Sequence, residues 1–451
     1  MIFNLDRKFL KMVVPLALPI ILQNLINVGV SIADVVMLGR LSETSLAAAS
    51  LASQITFVLT LIMFGMASGA NVLTAQYWGK KDLKTIEKIM AIGIRNSFFV
   101  SSIFFFFALF FPRFLMRIFT NNEIIISEGM KYLRVISFSY ITASISTVYL
   151  TVLRSVEKVK ISTVVYGSSF LINIFINYVL IFGKFGFPSL GIVGAAIGTL
   201  CARLIEISIV LIYNHNIRHF VHIKLKYILE NNRILNHDFY KYSIPVVLNE
   251  LLWSMGAAGI SVIVGRIDSS FIAANAINST IRQCVMPMAF GVASATSVIL
   301  GRTIGEKQYK KAIEYSHKFL QLSFISSVVA GALILLGMPL IVKFFGLNDM
   351  VTYYLKFMLK VNVVYSLAQG ITVCLVVGIL RSGGDTKFAL AVDTGSAWFG
   401  SLVLGALAAF YFKLPPKIIF LFLMSDEIIK LPFLLWRYKS KKWLNNVTRE
   451  L

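Results

Sequence analysis

Apolar residues in this chain come in long unbroken runs, not in the period-2 or period-3.6 alternation of soluble strands and helices. About twelve runs can be marked: 10–38, 46–77, 89–112, 129–152, 161–183, 190–213, 241–264, 271–300, 315–345, 351–379, 388–412 and 416–436. Roughly 20 consecutive apolar residues suffice for a helix to cross the hydrocarbon core of a bilayer. Short polar stretches rich in glycine, serine and lysine separate the runs. The pattern predicts an all-α polytopic membrane protein of twelve transmembrane helices.

Composition sharpens this reading. Hydrophobic residues make up 57% of the 451 positions, and charged residues only 14%, against about a quarter in soluble domains. The net charge of +22 is scattered through short loops and forms no basic face, so no nucleic-acid partner is expected. The basic residues report orientation instead. With the N-terminus inside, the inner segments hold Arg7, Lys8 and Lys11, then Lys80, Lys81, Lys84 and Lys88, then Arg154, Lys158 and Lys160. They continue with Arg218, Lys224, Lys226, Arg233 and Lys241, then Arg302, Lys307, Lys310 and Lys311, then Arg381 and Lys387, and the tail Arg437, Lys439, Lys441 and Lys442. The outer segments hold far fewer, among them Arg40, Arg113, Arg117 and Lys184. An even number of spans then leaves both ends cytoplasmic, in a cell (inner or plasma) membrane. The first run is too long for a cleavable signal peptide and lacks a cleavage site. Cys201, Cys284 and Cys374 all fall inside apolar runs, where free cysteine behaves as a small hydrophobe.

Sliding the chain along itself by 226–227 residues reveals a duplication. "ALPIILQNL" (17–25) lies over "SIPVVLNEL" (243–251), and "GRLSETSLAAASLASQI" (39–55) over "GRIDSSFIAANAINSTI" (265–281) without a gap. "GMASGANVLTAQYWGKKDLK" (65–84) lies over "GVASATSVILGRTIGEKQYK" (291–310), and "LRSVEKVK" (153–160) over "LRSGGDTK" (380–387). Six spans per copy return the chain to the same side, so the repeats are parallel. The expected organisation is an N-terminal six-helix lobe at 1–213, a cytoplasmic linker at 214–240, a C-terminal six-helix lobe at 241–437 and a basic tail at 438–451. Two such lobes suit alternating access about a central site.

Departures from the repeat are candidates for chemistry. Asp34 lies over Ile260, and Glu250 lies over Asn24. An ionisable group inside a span costs at least about 2.5–3.5 kcal/mol on insertion scales and is a functional candidate by default. Near Asp34 in the first repeat, "LINIFINYVLIFG" (171–183) puts Asn173 and Asn177 on one helix face at i, i+4. "GIVGAAIGT" (191–199) adds Thr199 among Gly191, Gly194 and Gly198, small residues that let helices approach closely. Carboxylate, amide and hydroxyl oxygens suit a proton or Na⁺, or serve as polar glue between helices. In the second repeat, Glu250 is followed by Trp253 one turn on, and Asp393 by Trp398. A carboxylate beside an aromatic face suits an organic cation. Asp385, in "SGGDT", reads as a cap or turn residue. Arg203 with Glu206, and Glu427 with Lys430, read as neutralising i, i+3 pairs. Arg282 lies over Thr56 and has no basic counterpart. Pro19 and Pro245 are expected to kink the first helix of each lobe. No Walker-type glycine loop is present, so the energy source expected is an ion gradient and no cofactor is implied.

Taken together, "LALPIILQNLINVGVSIADVVMLGRLSETSLAAASLA", "NIFINYVLIFG…GIVGAAIGT", "IPVVLNELLW" and "GILRSGGDTKFALAVD" resemble the multidrug and toxic compound extrusion (MATE) family over nearly the whole chain. The resemblance implies a V-shaped twelve-helix fold and efflux of amphipathic, often cationic, compounds in exchange for H⁺ or Na⁺. It maps the family's first-lobe cation site onto Asp34, Asn173, Asn177 and Thr199, and an acid of the seventh helix onto Glu250. Asn177 stands where some members carry a second aspartate, which leaves the coupling ion open. The expected protein is a monomeric, non-enzymatic antiporter in membrane lipid, with Glu250, Trp253 and Asp393 facing small organic substrates. The alternative is a flippase for a lipid-linked precursor, which would want a cationic cavity; the acidic candidates argue against it and Arg282 for it. A membrane-embedded transferase would need a larger extramembrane loop than 214–240.

Overall fold

The computed structural model describes residues 5–216 and 221–450, except the side chain of Phe345. Arg218, read above as an inner-side charge, lies outside the described residues. No strand occurs among the described residues, as hydrocarbon demands: a spanning segment must satisfy its own backbone hydrogen bonds. The first repeat supplies α1 (Arg7–Leu41), α2 (Glu43–Gly79), α3 (Leu83–Phe110), α4 (Glu123–Ser155), α5 (Val159–Phe182) and α6 (Ile192–Asn216). The second supplies α7 (Arg233–Val264), α8 (Ser269–Gly305), α9 (Tyr309–Phe345), α10 (Asp349–Leu380) and α11 (Thr386–Tyr411). These eleven are long and apolar enough to cross a membrane. The twelfth run is broken into α12 (Pro416–Leu423) and α13 (Asp426–Lys439). The break falls at Met424–Ser425, just before Asp426, Glu427 and Lys430, all buried. The last turns of α10 and much of α11 widen to π-helical geometry, a departure common at functional positions.

The duplication is visible in the backbone. Ser42 caps α2 by accepting from the Ser45 N–H, and Asp268, at offset 226, caps α8 by accepting from the Ser270 and Phe271 N–H groups. Lys81 and Lys307, also at offset 226, both turn the chain with positive φ (62° and 60°). Glu157 (65°) and Gly384 (77°) do so at offset 227. Each repeat also has its own apolar core. One runs from Leu38 to Ala196 around Ala48, Ala52, Leu133 and Tyr140. The other runs from Ile263 to Met424 around Phe271, Leu355, Tyr365 and Phe420.

By contacts the chain forms two compact units whose borders cut through α1 and α7. One comprises Leu22–Val247; the other holds the described residues up to Ile21 and from Leu248 onward. In the first unit, the start of α7 lies so close to α2 that a Cβ at Gly69 would collide with Ser243, and one at Gly65 with Val247. In the second, Phe9 of α1 packs edge-on against Phe319 at 5.0 Å, and Asp6 pairs with Lys318 at 3.2 Å. Pro15 and Pro19 sit inside an unbroken α1, and Pro245 inside α7.

The described part of the 214–240 segment is docked. Its short helix (Leu225–Leu229) lies against α3. Buried Glu87 accepts from the His222 N–H (3.0 Å) and from Lys224 Nζ (2.6 Å), and Arg95 donates to the carbonyls of Ile228 and Glu230. The Glu87 carboxylate, by hydrogen bond and charge, holds the Lys224 amine above its ordinary pKa. The described part of the 438–451 segment is docked too. Trp443 is buried, stacks on Tyr438 and donates its indole N–H to the Tyr438 carbonyl.

Candidate functional site: one lone acid and one paired cluster

The four residues marked in the first repeat meet in a single hydrogen-bond chain. Asn177 Nδ2 donates to Asp34 Oδ1 at 2.6 Å and to Asn173 Oδ1 at 3.2 Å. Asn173 Nδ2 in turn donates to Thr199 Oγ1 at 3.4 Å. Local sequence explains the assembly. Asn173 and Asn177 share a face of α5, and both are buried. That face meets α6 at its glycines: a Cβ at Gly194 would come within 2.7 Å of the Leu180 carbonyl carbon, and one at Gly198 would collide with Asn177 Oδ1. The Asn177 Oδ1 acceptor is buried without a hydrogen-bond partner. Among the described residues no basic side chain pairs with Asp34. Sequence reasoning missed Tyr132, a buried tyrosine of α4 close enough to feel the charge of Asp34.

The second repeat is built differently. Glu250, on α7, accepts from Arg381 at 2.9 Å. Arg381, read from sequence as an inner loop charge, is 2% exposed. Asp393, on α11, is bonded by Lys430 Nζ at 2.7 Å and by Asn249 Nδ2 at 3.0 Å. Lys430 also pairs with Glu427 at 2.9 Å, and Glu427 accepts from Thr372 Oγ1. The i, i+3 pair expected at 427 and 430 is therefore one edge of a larger network. Its link to Asp393 spans 37 residues and leaves no local signature. In the first repeat the pair Arg203–Glu206 forms as expected, at 2.8 Å. Asp385 precedes α13's partner helix α11 as its cap position but makes no cap bond; its carboxylate instead takes Arg437 at 2.6 Å. Trp398 donates its indole N–H to the Leu252 carbonyl at 3.0 Å. Trp253 lines a small cavity with Arg282, and neither Glu250 nor Asp393 is among its lining residues. Thus Glu250 and Asp393 are brought into charged partnerships, and Trp253 into a different pocket.

Two parallel helical repeats with a lone intramembrane acid in one of them define a polytopic transporter. The family model described as MatE matches residues 19–179 and 245–397, one stretch in each repeat. The chain belongs to the MatE family. Among its relatives is a probable multidrug resistance protein NorM of Thermotoga maritima, 24% identical over 96% of this chain and 93% of that one. An uncharacterised transporter, YisQ of Bacillus subtilis, is 23% identical over 91% and 90%. Among solved structures, an outward-facing multidrug resistance MATE family transporter of the MOP superfamily superposes with a TM-score of 0.87 at 16% identity. A MOP superfamily transporter from Pyrococcus furiosus gives 0.86, also at 16%. Each covers 96% of both chains, so the fold is shared throughout. The protein is a transporter of the MatE family with many membrane-spanning helices.

Proposed function

We propose that this transporter is an antiporter that exports amphipathic organic compounds, cationic ones among them, in exchange for H⁺ or Na⁺ taken up at Asp34. One observation carries the reading: Asp34 is held by the Asn177 amide, has no basic partner among the described residues, and occupies a position that the second repeat fills with Ile260. A carboxylate with no resident cation is free to exchange one. Asn177 Oδ1, buried and unpartnered, adds a second acceptor beside it, and Asn173 and Thr199 extend the oxygen set. Cation binding would neutralise Asp34, loosen its bond to α5 and shift the lobe between its two accessible states.

Glu250 and Asp393 are neutralised by Arg381 and Lys430, so their part in substrate handling is to shape and polarise the second lobe, with Trp253 offering the aromatic face. The flippase reading is not favoured: the Thermotoga maritima relative is named a probable multidrug resistance protein, and the acids and bases of the second lobe largely cancel. By the distribution of basic residues, both ends face the cytoplasm. The test uses proteoliposomes loaded with ethidium-like dye and driven separately by a pH gradient and a Na⁺ gradient. Wild-type protein should export dye with one of the two. Asp34→Asn should fall to background while remaining folded and inserted. Wild-type efflux by that variant would remove Asp34 from coupling.

A further inference from the structure

Arg282 is the basic residue of the second repeat's interior that joins none of these ion pairs. Its guanidinium lies 5.0 Å above the Tyr365 ring, and Nη1 meets Met424 Sδ at 3.1 Å. Among the described residues it pairs with no carboxylate. It lines a cavity of about 150 Å³ with Trp253, Asn275, Ser279, Tyr365 and Asp426. Asp426 is buried at the start of α13, where Ser401 Oγ donates to its Oδ1 at 3.2 Å.

The repeat gives this cavity its meaning. Ile260, which lies over Asp34, is one of its walls. Arg282 lies over Thr56, and in the first repeat Thr56 merely exchanges a hydrogen bond with Tyr140 at 3.0 Å. Tyr365 follows Tyr140 at offset 225, and Asp426 follows Thr199 at offset 227. The place that holds a lone acid in the first repeat therefore holds a cavity with a base on one wall and an acid on another in the second. An unpaired guanidinium within a membrane span is as unusual as an unpaired carboxylate, and it is a ligand site by the same reasoning.

We propose that this cavity binds the head of a small aromatic zwitterion: a carboxylate on Arg282 and a protonated amine toward Asp426, with the ring against Trp253 and Tyr365. A pure cation would meet Arg282, and a pure anion would meet Asp426; a molecule carrying both charges satisfies both walls. Arg favours carboxylates through its planar fork of donors. An engineered cavity of this size in another protein binds benzene, so one ring fits. The proposal rests on the exporter reading only for its physiological meaning, since binding requires no gradient.

The test is equilibrium binding to the full-length protein in lipid nanodiscs at pH 7, using three probes: 4-(aminomethyl)benzoate, benzoate and benzylamine. Wild-type protein should bind the zwitterion at least tenfold more tightly than either singly charged probe. Arg282→Gln should lose at least tenfold for the zwitterion, and Arg282→Lys should lose less. Asp426→Asn should shift preference toward benzoate, a reversal that misfolding cannot produce. Equal affinity for benzylamine and the zwitterion, or an Arg282→Gln protein with undiminished affinity, overturns the proposal. Zwitterion binding without gradient-driven efflux would sink the exporter reading and leave the pocket standing.

Discussion

The first repeat holds the Asp34 carboxylate among neutral amides and hydroxyls, whereas the second holds Glu250, Asp393 and Glu427 among cations. Asp34 is held by a single neutral donor, Asn177. Glu250, Asp393 and Glu427 are held by Arg381 and Lys430. Burying an isolated charge is expensive, and burying a pair is less so only while both members remain. A lone acid can therefore change its charge state at small structural cost, while the paired cluster is locked by mutual neutralisation. The same scaffold thus carries a switch in one copy and a brace in the other.

The sharpest way to break this contrast is to remove the cation of the brace. Lys430→Met leaves Asp393 and Glu427, whose side chains are 12% and 3% exposed, without their shared partner. Orphaning a buried pair costs about 3–5 kcal/mol, so thermal melting in detergent should fall sharply, and Asp393→Asn added to it should restore part of the loss. Asp34→Asn should leave melting within about 1 kcal/mol of wild type or raise it, because no cation is orphaned. Equal losses from the two changes would erase the distinction between switch and brace.

Smaller, but aimed at the switch, is Gly198→Ala. The added methyl would collide with Asn177 Oδ1 and push α5 away from α6. Overpacking of this kind costs about 1–3 kcal/mol. It should weaken the Asn177–Asp34 bond, and cation-driven efflux should fall about tenfold while the second-lobe network is untouched. Undiminished efflux would show that Asn177 does not set the state of Asp34.

How far the sequence anticipates this depends on the range of each interaction. The spans are legible because hydrocarbon imposes length and apolarity on every one of them. Ser42 and Asp268 are legible as equivalent positions because the repeat is ungapped there. Asn173 and Asn177 are legible as one face because i, i+4 is local. What escapes is pairing across distant helices: Arg381 reads as a loop charge yet reaches back 131 residues to Glu250. The broken twelfth span escapes as well, since 416–436 is apolar enough to read as one helix although the structure interrupts it at Met424–Ser425.

The finest probe of the first-repeat site is Thr199→Val, which keeps the shape and removes one oxygen. Its bond from Asn173 is 3.4 Å long, near the outer limit of a useful hydrogen bond, so the stability loss should be about 0.5–1 kcal/mol. The consequence for coupling depends on the ion. A proton needs only Asp34, so pH-driven dye efflux should be nearly unchanged. Na⁺ takes several hard oxygen donors at once, and a site that recruits Thr199 loses one of them. Running the variant under each gradient separately therefore divides the two cases: a selective fall in Na⁺-driven efflux assigns Thr199 Oγ1 to the ion, and an unchanged rate under the gradient that drives the wild type assigns the hydroxyl to positioning Asn173 alone.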